Sequence, residues 1–192
     1  MSTVVMTERI AGASPRLKAK IAGAYYLLNI VTGALALFAS DGWRSAAVLV
    51  AASCYIVVTL LFYDIFRPVN RRLSMLAAFF SLVGCASSAL DFFHLALPNP
   101  LVFFGFYCLL IGYLIFRSTF LPRILGVLMA IGGLGWLTFL SPTLAKYLSP
   151  YNLAPGILGE LSLTLWLLVT GVNVERWKEQ ANAASNRRGK VS

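Results

Sequence analysis

The chain has 192 residues, 59% of them hydrophobic and only 12% charged, with 16 Lys or Arg against 7 Asp or Glu, one His and three Cys. A water-soluble domain carries roughly 25% charged residues, so this composition excludes an ordinary soluble enzyme, a disordered chain and a disulfide scaffold. The net charge of +9 does not mark a nucleic-acid partner, because the basic residues fall between hydrophobic runs instead of forming one patch.

A helix needs about 20 apolar residues to cross a hydrocarbon core roughly 30 Å thick, and six windows of the chain approach that length. A basic tail over residues 1–20 precedes the first window, residues 21–39. Basic residues ahead of an apolar run ending in Ala34-Leu35-Ala36 have the outline of a cleaved signal peptide. The long tail and the full-length apolar stretch fit an uncleaved first helix better. Asn29 and Thr32 inside it offer polar lining or an interhelical hydrogen bond, of which the second fits better. The second window, residues 45–65, ends with Asp64 three residues before Arg67, where an ion pair at the membrane surface accounts for the acid.

The third window, residues 73–97, carries Ser81, Gly84, Ser88 and Asp91 at steps of three, four and three, which places them on one helix face. That face is expected to look into the bundle. Asp91 and His94 are three apart and can touch across one turn. The fourth window, residues 101–116, contains Gly105, Cys108 and Gly112, and the fifth, residues 124–140, contains Gly126, Ala130 and Gly133 on one face. Membrane helices pack through small residues that let backbones approach, so these two are expected to pair tightly. Residues 141–155, with Pro142, Pro150 and Pro155 among Lys146, Tyr147 and Tyr151, read as a surface connection. The sixth window, residues 156–174, holds Glu160 in its first turn, where the helix dipole favours a carboxylate by about 0.3–1 kcal/mol. A polar, basic tail over residues 175–192 is expected to lie on the anionic leaflet or remain disordered.

Fourteen of the 16 Lys and Arg residues lie in the two tails and in the second and fourth connections, while only Arg44 and Lys146 lie on the other side. Positive charge marks the cytoplasmic side, so both termini are expected there. The expected fold is all-α: a polytopic bundle of six transmembrane helices over residues 21–174, in a cell membrane with both termini cytoplasmic. The short connections predict antiparallel neighbours.

An ionisable group at the middle of a span costs about 2.5–3.5 kcal/mol on insertion scales, so each one asks for a partner or a task. Asp91 lies roughly 27 Å along an outward span and Glu160 roughly 6 Å into an inward one, so with His94 they share the outer quarter. Asp91, His94, Glu160 and Ser88 are therefore the candidate ligand- or proton-binding residues. The plainer reading pairs Asp91 with His94, Arg44 or Lys146 as an interfacial ion pair. Cys54, Cys85 and Cys108 all fall inside spans and read as packing residues. With one His and no ligand spacing, neither a resident metal nor a cofactor is expected, and no catalytic residue stands out.

The stretches Ser14-Pro15-Arg16-Leu17-Lys18-Ala19-Lys20-Ile21-Ala22-Gly23, Phe66-Arg67-Pro68-Val69-Asn70-Arg71, Gly112-Tyr113-Leu114-Ile115-Phe116-Arg117-Ser118 with Leu121-Pro122-Arg123-Ile124-Leu125-Gly126, and Gly159-Glu160-Leu161-Ser162-Leu163 with Trp166-Leu167-Leu168 resemble the bacterial domain-of-unknown-function family 4386. The resemblance spans residues 14–178 and implies a multispan membrane protein without an assigned activity. The first extracytoplasmic connection, Ser40 to Arg44, is short for that family. The functional expectation is a small carrier or ligand-binding membrane protein, its partners the bilayer and a small molecule or cation, with room for a homo-oligomer. A structural or partner-binding subunit is the alternative, and an intramembrane metal-dependent hydrolase stands third.

Overall fold

The structure, a computed structural model, describes residues 14–38, 40–91 and 99–189. Among these residues it is all-helical. The helices are α1 (Pro15–Phe38), α2 (Asp41–Phe66), α3 (Arg71–Asp91), α4 (Pro100–Arg117), α5 (Arg123–Leu137), α6 (Pro142–Leu148), α7 (Leu153–Val169) and α8 (Val174–Gly189), with a 3-10 turn, Thr138–Leu140, continuing α5.

The boundaries follow from local chemistry. Proline opens α1, α4 and α6, where its missing N–H is no loss. The side chain of Asn99 accepts from the Leu101 N–H at the start of α4, and that of Ser141 does the same for Leu144 at the start of α6. Gly171, at φ 71°, ends α7 in the left-handed conformation, where its N–H and that of Thr170 both donate to the Trp166 carbonyl. The sixth apolar window is thus helical from Leu153 to Val169, earlier at both ends than hydropathy indicated, and the basic tail beyond it forms α8 instead of an irregular strand of chain.

Among the described residues, five helices are long and apolar enough to cross a membrane: Pro15–Ala36, Gly42–Phe66, Arg71–Leu90, Pro100–Arg117 and Arg123–Leu140. α6 and α7 meet at 80°, and counted together they make a sixth. The six long helices form a closed ring. α1 packs on α2, α2 on α3, α3 on α4, α4 on α5, α5 on α7, and α7 returns to α1. Leu35, Leu60, Phe79, Leu134 and Leu158, each more than half exposed, give the bundle an apolar exterior of the kind a lipid environment requires.

Two seams of the ring are made by glycine. A Cβ on Gly112 would stand 2.7 Å from the Gly126 carbonyl oxygen, and one on Gly126 would stand 2.6 Å from that of Gly112. Gly105 and Gly133 repeat the contact two turns away, with Ala130 lying against Gly112. The opposite side of α5 presents Gly132 and Gly135 to the start of α7, where they meet Pro155, Gly156 and Asn152. Glycine on two faces lets α5 sit backbone-close to both neighbours at once.

The two ends differ. At the end bearing α8, Lys18 on α1 reaches Asp64 on α2 at 2.7 Å and Arg67 approaches the same carboxylate at 3.5 Å. α8 docks there by the Trp177 indole, which donates to the Ile65 carbonyl at 2.9 Å, and by Gln180, which accepts from the Thr119 backbone and hydroxyl at 3.1 Å each. At the other end the chain crosses from α5 to α7 through α6, tied by Asn152 donating to the Thr138 hydroxyl at 3.1 Å.

Candidate functional site

The half of the ring nearer α8 is solid. Val58, Ile111, Leu114, Met129, Leu163 and Leu167 fill it almost without exposure. An unbroken column of rings runs through it: Tyr55 against Tyr26 (centroids 5.4 Å), Tyr26 against Phe62 (6.0 Å), Phe62 against Phe66 (5.7 Å) and Phe66 against Phe120 (5.9 Å). The first three contacts are edge-to-face, the arrangement that ring quadrupoles favour.

The half nearer α6 is hollow. A cavity of about 600 Å³ is lined by all six ring helices, among them Asn29 and Gly33 of α1, Arg44 and Tyr55 of α2, Ser88 of α3, Phe104 of α4, Trp136 of α5 and Glu160 of α7. Most of its wall is apolar, and the polar groups are few. That is the usual anatomy of a small-molecule site.

Glu160 is the buried acid at the floor. Sequence spacing gives its surroundings a local logic. A Cβ on Gly156 would collide with the Trp136 indole, so the absence of a side chain there lets the indole lie against α7. One turn on, the indole Nε1 donates to Glu160 Oε1 at 3.0 Å. The Cys108 thiol reaches the same oxygen at 3.5 Å. Tyr26 and Tyr55 face each other hydroxyl to hydroxyl at 3.4 Å. Three helices, α4, α5 and α7, thus meet around one carboxylate, a buried polar network of the sort that fixes a unique arrangement.

Two further buried polar atoms have no hydrogen-bond partner among the described residues: the Tyr107 hydroxyl, beside Cys108 with its ring 5.5 Å from Tyr55, and the Thr164 hydroxyl, one turn along α7 from Glu160. Thr59 and Ser81 pair their hydroxyls at 2.5 Å one turn deeper on α2 and across to α3.

Of the residues the sequence singles out, Ser88 and Glu160 line the same cavity, with Ser88 donating to the Gly84 carbonyl at 3.0 Å. Asp91 closes α3, but its side chain, and all of His94, lie outside the described residues, so their meeting with Glu160 stays an expectation. Arg44 stands on the cavity wall near its rim, and Lys146 is exposed on α6. Asn29 lines the cavity, while Thr32 donates back to its own helix at Leu28, 2.7 Å away. Among the described residues, no three His, Cys, Asp or Glu side chains group as metal ligands. Cys54, Cys85 and Cys108 are buried and unbridged.

Sequence reasoning missed Trp136, Tyr26, Tyr55 and Tyr107, and it took Cys108 for packing alone. One signal was available: a tyrosine or tryptophan inside an apolar span carries a donor that must find an acceptor, and Glu160 is an acceptor in the same layer.

The domain of unknown function DUF4386 matches residues 41–102 and 90–171 of the chain. A protein of Archaeoglobus fulgidus, described only as an uncharacterized protein, is 29% identical over 127 residues, covering 60% of this chain and 76% of that one. No solved structure matches.

Proposed function

The chain belongs to the family of the domain of unknown function DUF4386, whose description names no activity, and from that premise we propose that it is a six-span integral protein of the cytoplasmic membrane that binds a small ligand in the cavity above Glu160. In this reading the tails and α8 lie on the cytoplasmic side, as the charge asymmetry favours, and the cavity faces outward. α6 lies along the outer surface and α7 completes the sixth span.

The observation that carries the reading is the asymmetry of the bundle: a cavity of about 600 Å³ on one side, a carboxylate at its floor, and a continuous column of aromatic rings sealing the other side. A purely structural subunit has no need of a hollow lined from six helices around a buried acid, which is costly to keep inside a membrane. A carrier does: it holds its ligand from one side while the opposite path is shut.

Labelling at Ser88 tests this. Ser88→Cys in intact cells should react with a membrane-impermeant maleimide, over the low background of the three buried native cysteines. Tyr147→Cys on exposed α6 serves as the positive control for the outer face. If Tyr147→Cys labels and Ser88→Cys does not, the cavity is closed to water and the structural-subunit reading takes its place.

A further inference from the structure

The chemistry of the cavity specifies more than that something binds. Its floor presents a single carboxylate whose Oε1 is held by the Trp136 indole and approached by the Cys108 thiol. Both are neutral donors, so among the described residues the hydrogen bonds to the acid orient it without adding a positive charge. The charged group on the same wall, Arg44, sits eleven residues before Tyr55 on α2, roughly 16 Å up the helix axis from the floor. That separation exceeds the roughly 10 Å screening length of physiological salt, so Glu160 is the charge that acts at the floor.

The walls around the acid are aromatic. Tyr55, Phe104 and Trp136 all line the cavity, with the rings of Tyr55 and Phe104 4.7 Å apart. Ring faces attract cations and give little to anions. Above them the lining turns aliphatic, with Ile30, Ala34, Val48, Leu101 and Ile157.

The seam between α1 and α7 adds a third observation. Toward α8 it is closed, with Leu167 and Leu168 packed against Gly23. At Gly33, on the cavity wall, nothing lies within 4 Å of where a Cβ would stand, and both Ala34 and Ile157 are exposed while lining the same cavity. Here the seam opens in an apolar stretch of the bundle.

Resting on the ligand-binding reading above, we propose that the cavity takes an organic cation with an apolar body: the carboxylate of Glu160 and the faces of Tyr55, Phe104 and Trp136 hold the charged centre, and the aliphatic upper walls hold the rest. A small inorganic ion would leave most of the 600 Å³ unfilled and its apolar lining without a partner. An anion would face the Glu160 carboxylate at the floor.

Two ions of nearly identical shape and opposite charge decide it: tetraphenylphosphonium and tetraphenylborate. Binding is measured by equilibrium dialysis against the purified full chain in detergent, with protein-free micelles as the blank. Tetraphenylphosphonium should bind saturably and tetraphenylborate should not. Glu160→Gln should weaken the cation by about tenfold or more, since removing one partner of a desolvated charge pair costs at least that much, while Glu160→Asp should keep the preference for the cation. Equal binding of the two ions, or full cation affinity in Glu160→Gln, overturns the proposal. The charge comparison on the wild-type chain decides the matter even where Glu160→Gln does not fold. If neither ion binds, the proposal also falls, and the Ser88→Cys labelling separates the cases. A reactive Ser88→Cys then leaves a binding cavity for another class of ligand, and an unreactive one removes the cavity as well.

Discussion

Gly126 and Gly33 are both glycines inside helices of the same ring, yet a methyl group means opposite things at the two. At Gly126 an added side chain meets the Gly112 carbonyl and the Phe116 backbone, and forcing extra volume into a packed seam costs about 1–3 kcal/mol. Gly126→Val is therefore expected to lower the unfolding midpoint in detergent measurably. Gly33→Ala meets open space and gains up to about 1 kcal/mol of helix propensity, so its midpoint should hold or rise. Equal losses at both sites would mean that helix flexibility, and not close approach, is what these glycines supply. Sequence spacing made the Gly126, Ala130 and Gly133 stripe legible because its period belongs to one helix. It gave no hint that Gly132 and Gly135, one residue before and two after Gly133, serve a different neighbour.

At the level of the helix the informative case is α7. Its hydropathy marked a span, and Glu160 stood out as an acid within one. What hydropathy could not supply was depth or company: the helix starts three residues earlier than the apolar window, which sets Glu160 about one turn deeper than its distance from Gly156 suggested. The donors to its carboxylate come from α4 and α5, 52 and 24 residues away in sequence. No pattern within a single helix encodes such a meeting. Trp136→Phe keeps most of the ring's packing and removes only the N–H donor. Leaving a buried acceptor short of a partner costs about 1–3 kcal/mol, so the variant should melt earlier than wild type. An unchanged midpoint would mean that water entering from the cavity replaces the indole.

For the whole molecule, charge and hydropathy already contained the all-helical architecture and its apolar exterior, because these are sums over many residues. The direction of insertion follows from the same sums and has its own test. Ser185→Cys on α8 should react with an impermeant maleimide only after the membrane is opened, and Tyr147→Cys should react in intact cells. The reverse pattern would turn the bundle over and put the cavity on the cytoplasmic side. The hollow itself was not legible in the sequence. It exists because α1 and α7, the first and last members of the ring, lie close at Gly23 and leave space at Gly33, a relation between segments about 130 residues apart.

The ring has a consequence for how the chain is made. Five of its six seams join helices that are neighbours in sequence, so each can zip as soon as its second member emerges from the ribosome, with little loop to close. The sixth, α1 with α7, must wait for the final span. Until synthesis is nearly finished, the nascent protein is an open horseshoe without Glu160, and a chain cut short before α7 would remain one. The closing of the ring and the arrival of its buried acid fall in the same event.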